Sequence, residues 1–213
     1  MERKAFRVSL EKNPLITMKV IPGHFTTSNA HVNHYLDVSD IKSNALIARD
    51  VARELAIPYL TSTMVETIVC MERTEVVGAY LAEELLQDGM SVINSSGEIH
   101  VVTPINSNNR TLIFQDSTIE WISNKSILLL VASISSGRTV KSALDCLEYY
   151  NGNVVGISSL FLASHEKQVK KVHALFTSED IPGYRLRGSG ECEMCAAGKK
   201  LDAIISSEGY TKI

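Results

Sequence analysis

Hydrophobic runs and polar breaks alternate along this chain in the rhythm of an α/β domain. The strongest run is Ile127-Leu128-Leu129-Leu130-Val131. Five consecutive aliphatic residues bounded by polar ones predict a strand buried on both faces of a parallel sheet. A Ser135-Ser136-Gly137-Arg138-Thr139 loop follows. Val140, Ala143, Leu144 and Leu147 then recur at helical spacing, predicting a helix that starts at Arg138 or Thr139 and runs to Tyr150. Apolar runs predict further strands at 65–71, 90–94, 98–102, 112–114, 154–162 and 172–176, the second and third joined by a Ser95-Ser96-Gly97 turn. Val77, Leu81 and Leu85 place a helix over 74–87. Another helix, capped by Asp40 or Ser43, runs to about Ala56 with Leu46, Ile47, Val51 and Leu55 on one face. Upstream, Phe6, Val8 and Leu10 alternate as in a strand, and Pro22-Gly23 punctuates the chain. His24 to Asp37 predicts a small hairpin turning at Ser28-Asn29. From Tyr184 onward the chain is polar and contains glycine. The alternation predicts an α/β fold with a mainly parallel sheet flanked by helices.

Bulk properties narrow the classes of function. A length of 213 residues fits a single domain spanning 1–213 with a sizeable core. The net charge of −3 gives no electrostatic footprint for nucleic acid or an anionic membrane, so neither is an expected partner. The longest apolar run is too short to span a bilayer. Met1 to Asn13 carries no signal-type apolar core. Cys70, Cys146, Cys192 and Cys195 do not form the framework of a secreted disulfide protein, and a cytoplasmic location is expected.

The chemistry centres on the 135–139 loop. Strand, short hydroxyl- and glycine-bearing loop and helix N-terminus together present backbone N–H groups and a positive dipole end to an anion. Ser135, Ser136 and Thr139 add hydroxyl donors, and Gly137 lets the backbone approach a ligand. Arg138 sits poorly at a positive helix end unless an anion is there. A phosphate is the expected guest; the other reading is an ordinary strand-to-helix turn. His24, His31 and His34 fall within one short hairpin that displays them without a carboxylate or cysteine at matching spacing, so no metal is expected there. Cys192-x-x-Cys195 reads as half of a zinc site, a redox pair or a packed tail. A zinc site would draw on a symmetry mate, His165 or His173. Trp121 and the Tyr149-Tyr150 pair read as core or dimer contacts rather than base-stacking residues.

Three segments resemble one family in the same order. The 127–139 segment resembles type I phosphoribosyltransferases, whose hydrophobic strand leads through two acidic residues to a Thr/Ser-Gly-Gly-Thr/Ser loop. Phe25, Ser28, Tyr35 and Asp37 are similar to the hood segment of orotate phosphoribosyltransferases, with Asn29 in place of a glycine. Cys192 to Leu201 resembles a Cys-x-x-Cys-x-x-Gly-x-x-Leu tail of orotate enzymes from bacteria and archaea. The resemblance covers residue 20 to the end. It implies the type I phosphoribosyltransferase fold with a small N-terminal hood at about 20–40 and a C-terminal tail at about 184–213. It also implies an opening helix, in contrast to the strand pattern of residues 6–10, and a homodimer. The implied ligand is phosphoribosyl pyrophosphate (PRPP) or a nucleotide, with magnesium if the protein is active. Its 5-phosphate would sit on Ser135, Ser136, Gly137, Arg138 and Thr139. Ribose and pyrophosphate would meet Ser133, Arg73, Thr74 and Arg110, and the base would lie under Phe25, Ser28 and Tyr35.

Departures from the family decide the functional expectation. The two acidic positions read Ala132 and Ser133, Arg138 replaces the second loop glycine, and Glu72 stands in the pyrophosphate loop. The 103–110 stretch, where a basic mobile loop belongs, carries Arg110 and no lysine. Each lost charge-assisted hydrogen bond is worth roughly 1.5–3 kcal/mol. Losing two weakens ribose binding about a hundredfold to ten-thousandfold. The expectation is a protein that binds the 5-phosphate of a ribose phosphate or nucleotide with impaired or absent transfer. The alternative is an active, divergent phosphoribosyltransferase making a nucleoside monophosphate from PRPP and orotate or a related base.

Overall fold

A computed structural model describes residues 2–28, 30–87, 93–94, 97–106, 111–163, 172–206 and 209–213. In chain order its elements are β1 (Phe6–Leu10), β2 (Asn13–Thr26), β3 (His31–Asp37), α1 (Ser39–Ser43), α2 (Ala45–Ala56), β4 (Thr67–Cys70), α3 (Glu75–Leu86), β5 (His100–Val102), β6 (Ile105–Asn106) and β7 (Leu112–Ile113). They continue with β8 (Ser126–Ile134), α4 (Arg138–Tyr149), β9 (Asn153–Leu162), β10 (Val172–Thr177), β11 (Leu186–Arg187), α5 (Glu193–Ala196), β12 (Ala203–Ser206) and β13 (Gly209–Lys212).

The central sheet has the order β10-β9-β8-β4-β5, with every neighbouring pair parallel. Residues Ile127 to Val131 of β8 are fully buried. Their alternation explains why the run is aliphatic throughout. Leu128 and Leu130 point into a core shared with Val51 and Leu55 of α2 and Val77 and Leu81 of α3. Ile127, Leu129 and Val131 point the other way, onto Val140, Ala143 and Leu147 of α4. A strand with helices on both faces has no face left for polar side chains.

The second sheet joins the two ends of the chain. Its order is β11-β3-β2-β12-β13, with β1 paired antiparallel to β2. Residues 6–10 are therefore a strand, as their alternation predicts, and not the helix with which the family opens. Pro22-Gly23 does not end a strand. β2 runs through it on a bulge between Pro22 and Phe25. Glycine is required at position 23, because a Cβ there would stand 2.6 Å from the Phe25 ring. The segment expected as a small separate hood is thus built into a larger sheet. The polar tail contributes as well: β12 pairs parallel with β2, and β13 folds back on β12.

Other boundaries moved for local reasons. The helix predicted up to Ala56 is two helices, and its cap is Asn44, whose side chain accepts from the N–H groups of Leu46 and Ile47. Leu46 is largely exposed rather than on the buried face. The strand predicted at 90–94 falls partly outside the described residues, as does the turn at 95–96. Asn94 itself lies in a turn, where its side chain accepts from Val65 N–H and donates to the Thr63 carbonyl. Trp121 packs at the edge of the α4-side core and stacks on His100. Tyr150 packs there too, whereas Tyr149 is 80% exposed. No helix among the described residues is long and apolar enough to cross a membrane.

Replacing Leu129 with alanine should cost about 2–5 kcal/mol, since it opens a cavity between β8 and α4. Replacing the exposed Leu15 should shift stability by no more than about 0.5 kcal/mol. Urea unfolding midpoints of the two variants check the contrast.

Candidate functional site

The end of β8 delivers the chain to a cleft of about 720 Å³ at the C-terminal edge of the parallel sheet, the side where open α/β sheets bind ligands. Gly137 turns the chain in the left-handed region (φ 71°) and stands as the N-cap of α4. Having no side chain, it offers no cap to the first turn of the helix. The α4 N-terminus consequently faces the cleft. Ser135, Ser136, Arg138 and Thr139 line the cleft, and Gly137 supplies the turn between them.

Other predicted residues divide between wall and core. Ser133, Arg73, Ser28 and Tyr35 line the same cleft. Thr74 is fully buried, and its hydroxyl lies 3.0 Å from the Met71 carbonyl and 3.3 Å from that of Leu130. It holds the loop after β4 to β8 rather than facing a ligand. Phe25 is also fully buried, with ring contacts to Tyr35 and Tyr210. It supports the cleft wall from behind. Arg110 lies outside the described residues. Of the 103–110 stretch, Ile105–Asn106 (β6) pairs antiparallel with Leu112–Ile113 (β7), and 107–110 lie outside the described residues.

The loop after β4 carries the site's most unusual backbone. Glu72 and Arg73 both adopt positive φ, 56° and 64°, a costly conformation for residues with a Cβ. The strain aims the Glu72 side chain across to β8, where its carboxylate accepts from the Ser133 N–H at 3.0 Å. Lys42 of α1 donates to the Glu72 carbonyl at 3.1 Å. Burial pushes the Glu72 carboxyl above its usual range, outweighing the Ser133 and Ala132 N–H groups and the Lys42 charge, which pull it down.

Sequence reading missed Lys42, Ser39 and Ser43, which bring α1 into the cleft wall, and Ile205, Ser206 and Gly209 from β12 and β13. The α1 residues had a local signal in the helix pattern. The β12 and β13 residues had none, because only long-range pairing carries them there.

No protein-family model matches the chain, and no curated protein does. Solved structures do. UMP synthase from Leishmania donovani superposes with a TM-score of 0.54 at 18% identity, over 75% of this chain and 34% of the larger protein. The fold is phosphoribosyltransferase-like. Orotate phosphoribosyltransferase from Mycobacterium tuberculosis H37Rv (TM-score 0.49, 13% identity) matches over 76% of this chain and 90% of its own. For adenine phosphoribosyltransferase from Thermoanaerobacter pseudethanolicus the figures are 0.49 and 14%, over 68% and 88%. At these identities the likeness concerns the fold alone.

Cys192 and Cys195 do not meet His173, which packs on Tyr59; His165 lies outside the described residues. They meet His24 and His31 instead.

A carboxyl with a raised folded pKa costs stability when ionised. That cost is absent below the unfolded value of 4.5 and grows as pH rises through the folded one. Glu72→Gln should therefore melt higher than the parent at pH 7. The gap should close as pH falls to 4.5, as thermal melts across that range would record.

Proposed function

We propose that the cleft binds the 5-phosphate of a ribose phosphate or nucleotide at residues 135–139 and does not carry out phosphoribosyl transfer. The observation that supports this most is the contrast within one wall of the cleft. At one end the α4 N-terminus, with Arg138 and the hydroxyls of Ser135, Ser136 and Thr139, lines the cleft. A few residues earlier, where the family's two acids would grip the ribose, stand Ala132 and Ser133, and the Ser133 N–H is already taken by Glu72.

Magnesium-dependent handling of a diphosphate fits these residues poorly. Among the described residues lining the cleft, the carboxylates are Glu72 and Glu75. Glu72 is held against the β8 backbone, and Glu75 accepts from the Thr103 hydroxyl at 3.0 Å. Phosphate recognition needs none of that machinery. It rests on N–H and hydroxyl donors, a helix end and one guanidinium. Tyr35 and Ser28, which also line the cleft, would meet the base or sugar of a bound nucleotide.

The test is calorimetry with orotidine monophosphate, other nucleoside monophosphates and PRPP, with and without magnesium. Monophosphates should bind without any magnesium requirement, and no nucleotide should form from PRPP and orotate. Thr139→Ala and Arg138→Ala should each weaken binding about tenfold to a hundredfold. Magnesium-dependent PRPP binding followed by turnover would instead establish the active, divergent transferase.

A further inference from the structure

Four side chains distant in sequence converge at the outer end of the second sheet. His24 lies on β2, His31 opens β3, and Cys192 and Cys195 bracket the start of α5. One ligand atom from each lies within 4.8 Å of all the others. His24 Nε2 is 3.2 Å from His31 Nδ1, 3.4 Å from Cys192 Sγ and 3.7 Å from Cys195 Sγ, and Cys195 Sγ is 3.3 Å from His31 Nδ1.

These separations are those of ligands around one ion. With zinc–nitrogen bonds of about 2.05 Å and zinc–sulfur bonds of about 2.3 Å at tetrahedral angles, nitrogens stand about 3.3 Å apart and nitrogen and sulfur about 3.6 Å. A plain hydrogen-bonded cluster accounts for the arrangement less well. Hydrogen bonding would pair each thiol with one imidazole nitrogen, and it gives no reason for all four atoms to crowd within 4.8 Å of one another. We propose that His24, His31, Cys192 and Cys195 form a structural zinc site.

The surroundings of His24 fit that role. Its ring is fully buried, and Nδ1 lies 2.9 Å from the Lys199 carbonyl and 3.2 Å from that of Lys200. Carbonyls only accept, so Nδ1 carries the proton and Nε2 turns its lone pair to the cluster, as an oriented metal-ligating histidine does. Asp202 fixes the same residue through its backbone. The His24 N–H donates to the Asp202 carboxylate at 2.7 Å, and the Asp202 N–H donates to the His24 carbonyl at 2.7 Å. Two thiolates and two imidazoles select zinc over the hard oxygen-seeking cations, and four protein ligands close the coordination sphere. Cys195 is exposed and leaves a path for the ion to enter.

The site ties the C-terminal segment to the β2–β3 hairpin. Directly after it, β12 pairs with β2 at Ala203–Phe25 and Ile204–Thr26, and Ile205, Ser206 and Gly209 go on to line the cleft. Zinc thus fixes one wall of the cleft from outside, whether or not that cleft holds a phosphate.

The experiment uses the full chain produced in zinc-supplemented medium. Elemental analysis should find near-stoichiometric zinc, and replacement by cobalt(II) should give the thiolate charge-transfer band and visible bands of a tetrahedral site. Cys195→Ser and His31→Ala should lose most of the metal, and Cys146→Ser should retain it. Removing zinc with a chelator should lower the melting temperature of the parent and leave Cys195→Ser unchanged. Should either variant fail to fold, the parent's cobalt spectrum still decides. Sub-stoichiometric metal, a cobalt spectrum without sulfur ligation, or zinc retained by a folded Cys195→Ser would overturn the assignment.

Discussion

From Ile127 to Val131 strand β8 has water on neither face, and that constraint organises the rest. Helices must cover it on both sides, so α2 and α3 pack against one surface and α4 against the other. Parallel neighbours must flank it, so the connections are long crossovers, and the chain leaves its C-terminal end at the sheet edge where such crossovers begin. The 135–139 loop and the α4 N-terminus occupy that point because β8 ends there. The anion site proposed in this place would be a consequence of the sheet rather than an addition to it.

What such a site can do depends on the neighbouring loop. The loop after β4 holds Glu72 and Arg73 in left-handed conformations and brings a carboxylate onto the β8 backbone, next to the place where the family's acids would stand. The strain there is stabilised by Thr74, buried behind the loop, and by Lys42, which reaches across from α1. On the proposed reading, a negative group in this position would favour a small, terminal phosphate held further along at α4 over a diphosphate spread across both loops. The same cleft therefore combines a favourable anion cradle with an unfavourable neighbour.

Legibility in the sequence followed the range of the interactions. Ile127 to Val131, the α3 stripe of Val77, Leu81 and Leu85, and the α4 start were all readable, since each reflects a local period imposed by a buried face. Glu72 was readable as out of place, but the direction of its side chain depends on two positive φ angles that no neighbouring glycine announces. Pro22-Gly23 misled because the glycine serves a close approach to Phe25 within a bulge rather than a chain reversal. The meeting of His24 and His31 with Cys192 and Cys195 was least visible, since the cysteines lie more than 160 residues away. A pairing of β12 with β2 brings them together, and nothing in the spacing of either segment encodes that pairing.

The claim on which this account turns is that anion binding takes place at the first turn of α4. Amide chemical shifts report it residue by residue. In a titration of the isotopically labelled chain with a nucleoside monophosphate, the N–H resonances of Ser136 to Thr139 should move most, and they should move in the same direction with inorganic phosphate. Saturable shifts centred elsewhere, with those amides unmoved, would contradict it.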